Sequence, residues 1–504
     1  MILHIDGNVN RYYVQTLCMI FFPGATFGEN EQRGEGVPEV TVSVYKDTEN
    51  EITAYVAIRL NDKICESKVT VSTLEETVIA TPESIAIGRA IFAAGKEMLG
   101  HTPPWGILTG VRPAMVARTL IRNGKGINKS KRALRDEYFL NPQKASLAVS
   151  VASNELKIMK KQPLDSCSIY ISIPFCPSRC AYCSFVSYTT PRLLSLIDEY
   201  LDAMLVELDE TFDTIEKLGL KLSTIYIGGG TPTTLTPNNL EKLLKKIKKR
   251  TNVDELLEFT LEAGRPDTIT AEKLKIAAKY GVSRISVNPQ TLNDDILSSI
   301  GRKHTVEQFY KAYEIAKKSG IRDINIDLIA GLPGDDFKNF SETLDKVIAL
   351  APTNITVHTF CVKKASDALK NNSSIYSLSG GDAAKSVSYS QIQAKLAGYK
   401  PYYMYRQKNT VGNLENVGFA LEGHEGLYNI YMMEETQTIF AVGAGAVTKL
   451  VDRDITKDGE DARIKRIFNS KYPYEYLRDM EKKRSGTFEK ASVHEESLKF
   501  FNKI

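Results

Sequence analysis

Between residues 168 and 359, short β-rich runs alternate with longer amphipathic stretches, and this rhythm constrains the fold more than any other feature of the chain. The pattern predicts strands at 168–173, 223–227, 258–261, 284–287, 323–328 and 354–359. Helical spacing fills the gaps. One helix covers 193–218. A second starts at Pro237, with Leu240, Leu243, Leu244 and Ile247 on one face and Thr236 as cap; a third starts behind Thr270. Strands that alternate with helices form a parallel sheet with right-handed crossovers. Six such units predict an α/β fold, a partial (βα)6 TIM-like barrel. In such barrels chemistry gathers at the C-terminal strand ends. Polar residues stand there: a cysteine loop after the first strand, Gly228-Gly229-Gly230-Thr231 after the second, Glu262 after the third, Asn288 and Gln290 after the fourth, Asp327 on the fifth and His358 on the sixth.

The cysteine loop carries the strongest chemical signal. Cys176, Cys180 and Cys183 are spaced Cys-x3-Cys-x2-Cys, with Tyr182 before the last. Three thiolates on one loop can hold three corners of a [4Fe–4S] cube. The fourth iron then has no protein ligand, and an open metal position is a catalytic position. The competing reading is a closed zinc or disulfide site, which three cysteines without a nearby fourth ligand fit poorly. The spacing resembles that of the radical S-adenosylmethionine (SAM) enzymes, whose SAM chelates the fourth iron.

The chain of 504 residues exceeds one ordinary domain. Residues 1–125, with alternating strands at 40–45, 52–60 and 64–71 and a helix at 81–99, read as an α+β domain. Residues 126–165 read as a helical connector, 166–365 as the (βα)6 core, and 366–504 as a family-specific, mostly helical extension that includes a polar loop at 371–379. A net charge of +4 gives no electrostatic case for nucleic acid or an anionic membrane. The basic run Lys245-Lys246-Ile247-Lys248-Lys249-Arg250 reads as a solvated helix face. Seven cysteines are too few for a disulfide scaffold; Cys18, Cys65, Cys167 and Cys361 read as packed thiols. No basic n-region precedes the apolar stretch 17–22, and no apolar run reaches the ~18 residues of a membrane helix, so the expected location is the cytoplasm.

Other candidates each have a structural alternative. Glu262 can hold a ribose hydroxyl or simply pair with Arg265. Asp327 on a central strand needs a partner or a ligand, because a lone buried carboxylate is costly. Gln290 and Arg302 can contact a carboxylate, or Arg302 can end a helix. His358 is a core or a functional histidine; His424 is a loop residue or an axial ligand. Arg112, Arg284, Lys363, Lys364 and Arg406 are candidate anchors for an acidic substrate, with solvation as the alternative.

Together, Tyr170-x-x-Ile-Pro-Phe-Cys176, Cys180-x-Tyr182-Cys183, Gly228-Gly-Gly-Thr-Pro-Thr233 and Asp327-Leu-Ile-x-Gly-Leu-Pro-Gly334 resemble the radical SAM oxygen-independent coproporphyrinogen III oxidase family. The string 402–409, the glycine-bearing segments 412–418 and 443–446 and the extra N-terminal domain resemble its HemZ-type coproporphyrinogen dehydrogenase branch. The resemblance implies a radical SAM oxidoreductase that removes hydrogen and CO2 from coproporphyrinogen III propionates to leave vinyl groups. It implies a [4Fe–4S] cluster on Cys176, Cys180 and Cys183, and SAM at Tyr170, Gly229 and Glu262. Tyr182, Gly230, Thr231, Gln290, Arg302 and Asp327 match positions for a second SAM. Tyr170, Glu262, Gln290, Arg302 and Asp327 form the implied catalytic set. A tetrapyrrole substrate and a low-potential electron donor such as flavodoxin or ferredoxin are the implied partners. The chain departs from the oxidase pattern at Ser172 (histidine there) and Phe185 (cysteine there), and carries Tyr428-Asn429 where related haem chaperones have His-Asn. Anaerobic haem cleavage, or haem binding and delivery without catalysis, are the rival readings.

Overall fold

The structure, a computed structural model, describes the chain except residues 29–33, 75–80, 184–186, 362–380, 408–409, 453–462, 490 and 503–504. Phe185, Lys363, Lys364 and the loop 371–379 therefore lie outside the described residues. The chain forms two compact units. One comprises Met1–Leu156, Thr359–Tyr389 and Met404–Val417; the other comprises Lys157–His358, Ser390–Tyr403 and Gly418–Ile504.

The first unit holds a four-stranded sheet, β1 (Ile2–Asp6), β2 (Glu39–Thr48), β3 (Glu51–Leu60) and β4 (Lys63–Ser72), in sequential order. β1 runs parallel to β2, whereas β2, β3 and β4 are antiparallel. The helix Pro82–Leu99, capped by Thr81, packs on β3 and β4 and buries Ile87, Ala90, Ile91 and Ala94. The same unit buries a charged pair: Lys144 Nζ donates to Glu415 Oε1 (2.5 Å), and Trp105 Nε1 to Glu415 Oε2 (2.8 Å).

The larger sheet has eleven strands. Six arise from the βα rhythm: β5 (Ser166–Ile173), β6 (Lys221–Gly229), β7 (Glu258–Leu261), β8 (Arg284–Ser286), β9 (Asp323–Ala330) and β10 (Asn354–Thr359). Five follow: β11 (Lys400–Arg406), β12 (Glu415–Ala420), β13 (Thr438–Val442), β14 (Val447–Asp452) and β15 (Arg463–Phe468). Their order is β11-β12-β10-β9-β8-β7-β6-β5-β13-β14-β15. Strands β5 to β9 pair in parallel, in sequence order, as expected for a partial barrel. Thr236 and Thr270 cap the helices Pro237–Arg250 and Ala271–Lys279 as the sequence predicts.

The C-terminal segment differs from the expectation of a mostly helical extension. It has helices at Gly381–Leu396, Leu427–Glu434, Pro473–Arg484 and Val493–Phe500, but it also supplies five strands. β13 lies parallel to β5, with Ile439 opposite Ser168. Buried side chains fix this join. Gln437 accepts from Ser166 Oγ (2.7 Å) and from Gln162 Nε2 (2.9 Å) and bonds Ser168. Glu207, on the helix Ile197–Leu218, accepts from Gly443 N (2.7 Å), Asn469 Nδ2 (2.8 Å) and Tyr476 Oη (2.6 Å). The basic run is not merely solvated: Lys246 and Arg250 pair with Asp209, and Arg250 with Asp213, on that helix.

Candidate functional site

The β5–β6 pair builds the site's floor. Residues 168, 170 and 172 face the same side of β5, so Ser168, Tyr170 and Ser172 stand opposite Thr224, Tyr226 and Gly228. At the end of β5 the chain turns into the cysteine loop. Cys176 N donates to Tyr188 O (3.1 Å), and Cys183 N to Cys180 O (3.1 Å) closes the turn. Behind the loop, Gly230 N donates to Ile173 O and Thr231 N to Phe175 O, both at 2.8 Å. Thr231 Oγ1 lies 3.2 Å from Cys176 Sγ. A Cβ at Gly230 would sit 2.6 Å from Phe175 O and 3.0 Å from Cys176 Sγ, so only glycine permits this approach. Gly229 has φ +106°, in the region where glycine is favoured.

Two buried arginines hold the loop from neighbouring strands. Arg265, after β7, chelates Asp267 through Nε and Nη2 (both 3.1 Å). Its Nη1 donates to Ser178 Oγ (2.9 Å) and lies 3.7 Å from Cys180 Sγ. The alternative in which Arg265 pairs with Glu262 is therefore overturned. Arg302 donates from Nε to Tyr182 Oη (3.0 Å) and from Nη1 to Gly264 O (3.1 Å) and Asn288 O (2.9 Å). It is a brace and not a plain helix terminus. His304 nearby is neutral, pushed down to about 3 by burial and by Arg302.

Glu262 accepts from the Tyr226 hydroxyl. Burial raises its carboxyl to about 7, although the Tyr226 bond acts the other way. Tyr226 stacks on Tyr428 (4.4 Å), and Tyr170 lies against both rings, 6.1 Å from Tyr226 and 6.2 Å from Tyr428. Tyr428 is the residue sequence reasoning did not place here. Asp327 accepts from Asn288 Nδ2 (2.8 Å) and Asn325 Nδ2 (2.7 Å), with His358 Nε2 at 3.7 Å. Burial opposes its charge, but His358, Asn325 and Thr356 outweigh burial and hold it below the usual carboxylate range. Gln290 N donates to Asp327 O (3.1 Å). Its φ is +73°, a strained value for a non-glycine residue, and its buried Oε1 has no hydrogen-bond partner.

Several charged candidates serve other ends. Arg284 opens β8 at the opposite, N-terminal edge, where it bonds Asn354 Oδ1 (2.6 Å), Asp323 Oδ2 (3.1 Å) and His424 O (2.8 Å). His424, whose side chain is 31% exposed, gives Nδ1 to Asp323 (2.5 Å) at this same N-terminal edge. Arg406, in the first unit, is buried over the Trp105 ring and donates to Leu108 O (2.6 Å). Arg284 and Arg406 are thus bonded within the protein and not merely solvated, and His424 is held by Asp323. Arg112, half-buried, lies in the first unit.

The donor chemistry fits a [4Fe–4S] cluster: three thiols on one loop, a glycine cradle against Cys176, and arginines that offset thiolate charge. Burial now pushes the Cys176 thiol up to about 11, and iron ligation is what would deprotonate it. Among the described residues no group of three or more His, Cys, Asp or Glu is drawn up around one metal position. The fit therefore rests on donor type and cradle. The unpartnered Gln290 Oε1 offers an acceptor at the same strand ends.

Comparison with known proteins agrees. The Radical SAM superfamily model matches residues 170–347. The chain is therefore a radical SAM protein, with a [4Fe–4S] cluster and SAM as its cofactors. It is 38% identical over 381 residues to the oxygen-independent coproporphyrinogen-III oxidase-like protein HemZ of Bacillus subtilis (strain 168), covering 75% of each chain. It belongs to that oxygen-independent coproporphyrinogen-III oxidase-like family. It is also 39% identical over 198 residues to the haem chaperone HemW of the same organism, covering 39% of this chain and 51% of that one. Among solved structures, the radical SAM coproporphyrinogen III oxidase HemN of Escherichia coli aligns with TM-score 0.46 and 20% identity, over 66% of this chain and 76% of that one.

Proposed function

We propose that the chain is an oxygen-independent coproporphyrinogen III dehydrogenase acting in the cytoplasm, with residues 166–365 as its catalytic core. Cys176, Cys180 and Cys183 would hold the cluster. Tyr170, Gly229 and Glu262 would hold SAM, and Tyr182, Gly230, Thr231, Gln290, Arg302 and Asp327 would line a further subsite for a second SAM or the substrate. When bound, the cluster and SAM would supply a 5′-deoxyadenosyl radical, able to take hydrogen from a coproporphyrinogen III propionate, which would then release CO2 and pass one electron to an external one-electron acceptor to become a vinyl group. The protein's own part is placement and exclusion of water. Arg265 and Arg302 fix the cysteine loop from two strand ends. Near pH 7 the Glu262 carboxyl is close to half-ionised before SAM binds, and its ionised form accepts hydroxyl hydrogen bonds. Asp327 stays charged, held by Asn288 and Asn325.

The observation that carries the reading is the approach of Gly230 to Cys176 beneath a loop braced by Arg265 and Arg302. An anaerobic incubation of reconstituted protein with SAM, a reductant and coproporphyrinogen III tests it. The reading requires 5′-deoxyadenosine and CO2 to form only with substrate. Tight haem binding with no 5′-deoxyadenosine from any tetrapyrrole would favour haem delivery instead.

A further inference from the structure

The two arginines that brace the cysteine loop meet it differently. Arg302 works through a phenol, because its Nε donates to Tyr182 Oη (3.0 Å). Arg265 reaches a cysteine side chain itself. Its Nε and Nη2 are both taken by Asp267, at 3.1 Å each, and this two-point pairing fixes the guanidinium plane. The opposite edge, Nη1, is thereby aimed at the loop. It donates to Ser178 O (3.2 Å) and Ser178 Oγ (2.9 Å) and lies 3.7 Å from Cys180 Sγ. The Arg265 side chain is only 4% exposed, and its charge also reaches Cys176.

A buried guanidinium placed this way does more than hold backbone. A cluster that takes up one electron gains one negative charge, shared by its sulfurs and the cysteine thiolates. A buried N–H donor aimed at a thiolate stabilises that added charge and raises the reduction potential. Asp267 pulls the other way from the far edge of the same guanidinium. Burial opposes the charge of this carboxyl, but the bonds and charge of Arg265 outweigh burial and hold it below the usual carboxylate range. The pair is therefore ionised, with its positive half toward the cysteines. We propose that Arg265 is a positioning residue that sets the reduction potential of a cluster on Cys176, Cys180 and Cys183, and that Asp267 limits its pull. The inference rests on the cluster reading above and names the side-chain pair that tunes that cluster.

The test is a redox titration of the reconstituted full-length protein without SAM. Dithionite is the reductant: it loses the electron that the cluster gains, and no bond is made or broken at Arg265. The reduced cluster is read by its paramagnetic resonance signal at each poise, with iron and sulfide counted in every sample. Arg265→Met should lower the reduced-to-oxidised ratio at fixed poise about tenfold, a potential ~59 mV more negative. Arg265→Lys keeps the charge without the fork and should recover part of that shift. Asp267→Asn leaves the guanidinium uncompensated and should move the potential up. A merely structural role gives the opposite sign for Arg265→Met, because a loosened loop admits water, which favours the more negative, reduced cluster. A potential at or above that of the wild type in Arg265→Met overturns the proposal. So does a potential at or below that of the wild type in Asp267→Asn, which decides alone if Arg265→Met holds no cluster. A wild type that takes up no iron and sulfide strikes the cluster reading itself and this inference with it.

Discussion

Replacing Gly230 by alanine tests the packing on which the cysteine loop depends. The added methyl would meet Phe175 O at 2.6 Å, Phe175 N at 2.8 Å and Cys176 Sγ at 3.0 Å. Two of these are backbone atoms and cannot rotate away. The strand end must separate from the loop, straining the bonds Gly230 N to Ile173 O and Thr231 N to Phe175 O. Overpacking costs about 1–3 kcal/mol, and a hydrogen bond lost with it adds about 1 kcal/mol. A total of ~3 kcal/mol corresponds to roughly 5–10 °C in Tm for a domain of this scale. The loop should also lose its grip on iron. Thermal melts of the unloaded chain, with iron and sulfide counts after reconstitution, read both effects. Gly110→Ala is the control, since nothing lies within 4 Å of its added Cβ. A Gly230→Ala protein with wild-type Tm and full iron content would show that the close approach of Gly230 to Phe175 and Cys176 does not hold the loop.

Three further outcomes follow from the geometry. Glu207→Ala leaves the donors of Gly443, Asn469 and Tyr476 without their acceptor, and should cost about 3 kcal/mol or more in urea unfolding. Arg302→Lys cannot span Tyr182, Gly264 and Asn288 together, so it should lower cluster retention while leaving the far-UV spectrum unchanged. Burial raises Glu262 from 4.5 to about 7, so its contribution to stability is complete below pH 4.5 and is lost as pH rises through 7. Glu155 is raised in the same direction by burial, so the reading is the difference between proteins. Tm of Glu262→Gln without SAM should fall less than that of the wild type across that window, and parallel curves would contradict the assignment.

The six-strand core was legible because each strand is a short apolar run bounded by helical spacing and turn residues; 258–261 and 354–359 match the observed bounds of β7 and β10. The outer strands were not. β13 reads Thr-Ile-Phe-Ala-Val, too short for periodicity to separate strand from helix. Its partner β5 lies far upstream, joined through Gln437, so the pairing is a tertiary choice. The positions of the cysteines and Glu262 after strands, and of Asp327 within one, were readable from the sequence. Tyr428 was not, because its role depends on a C-terminal helix delivering it onto Tyr226. Arg284 misled because a lone arginine on a strand looks the same in sequence at either barrel edge. Its burial beside Asp323 and Asn354 decides its role. Gln290 was a candidate on position alone; its positive φ is imposed by its bonds to β9 and leaves no trace in the sequence.

The proposed reaction turns on hydrogen abstraction from a propionate by a radical that a cluster on Cys176, Cys180 and Cys183 would supply. Coproporphyrinogen III deuterated on its propionate chains, incubated anaerobically with the reconstituted protein, SAM and reductant, measures this directly. Hydrogen abstraction requires deuterium in 5′-deoxyadenosine together with CO2 release, both abolished by Cys176→Ala. Deuterium-free 5′-deoxyadenosine with intact propionates would contradict it.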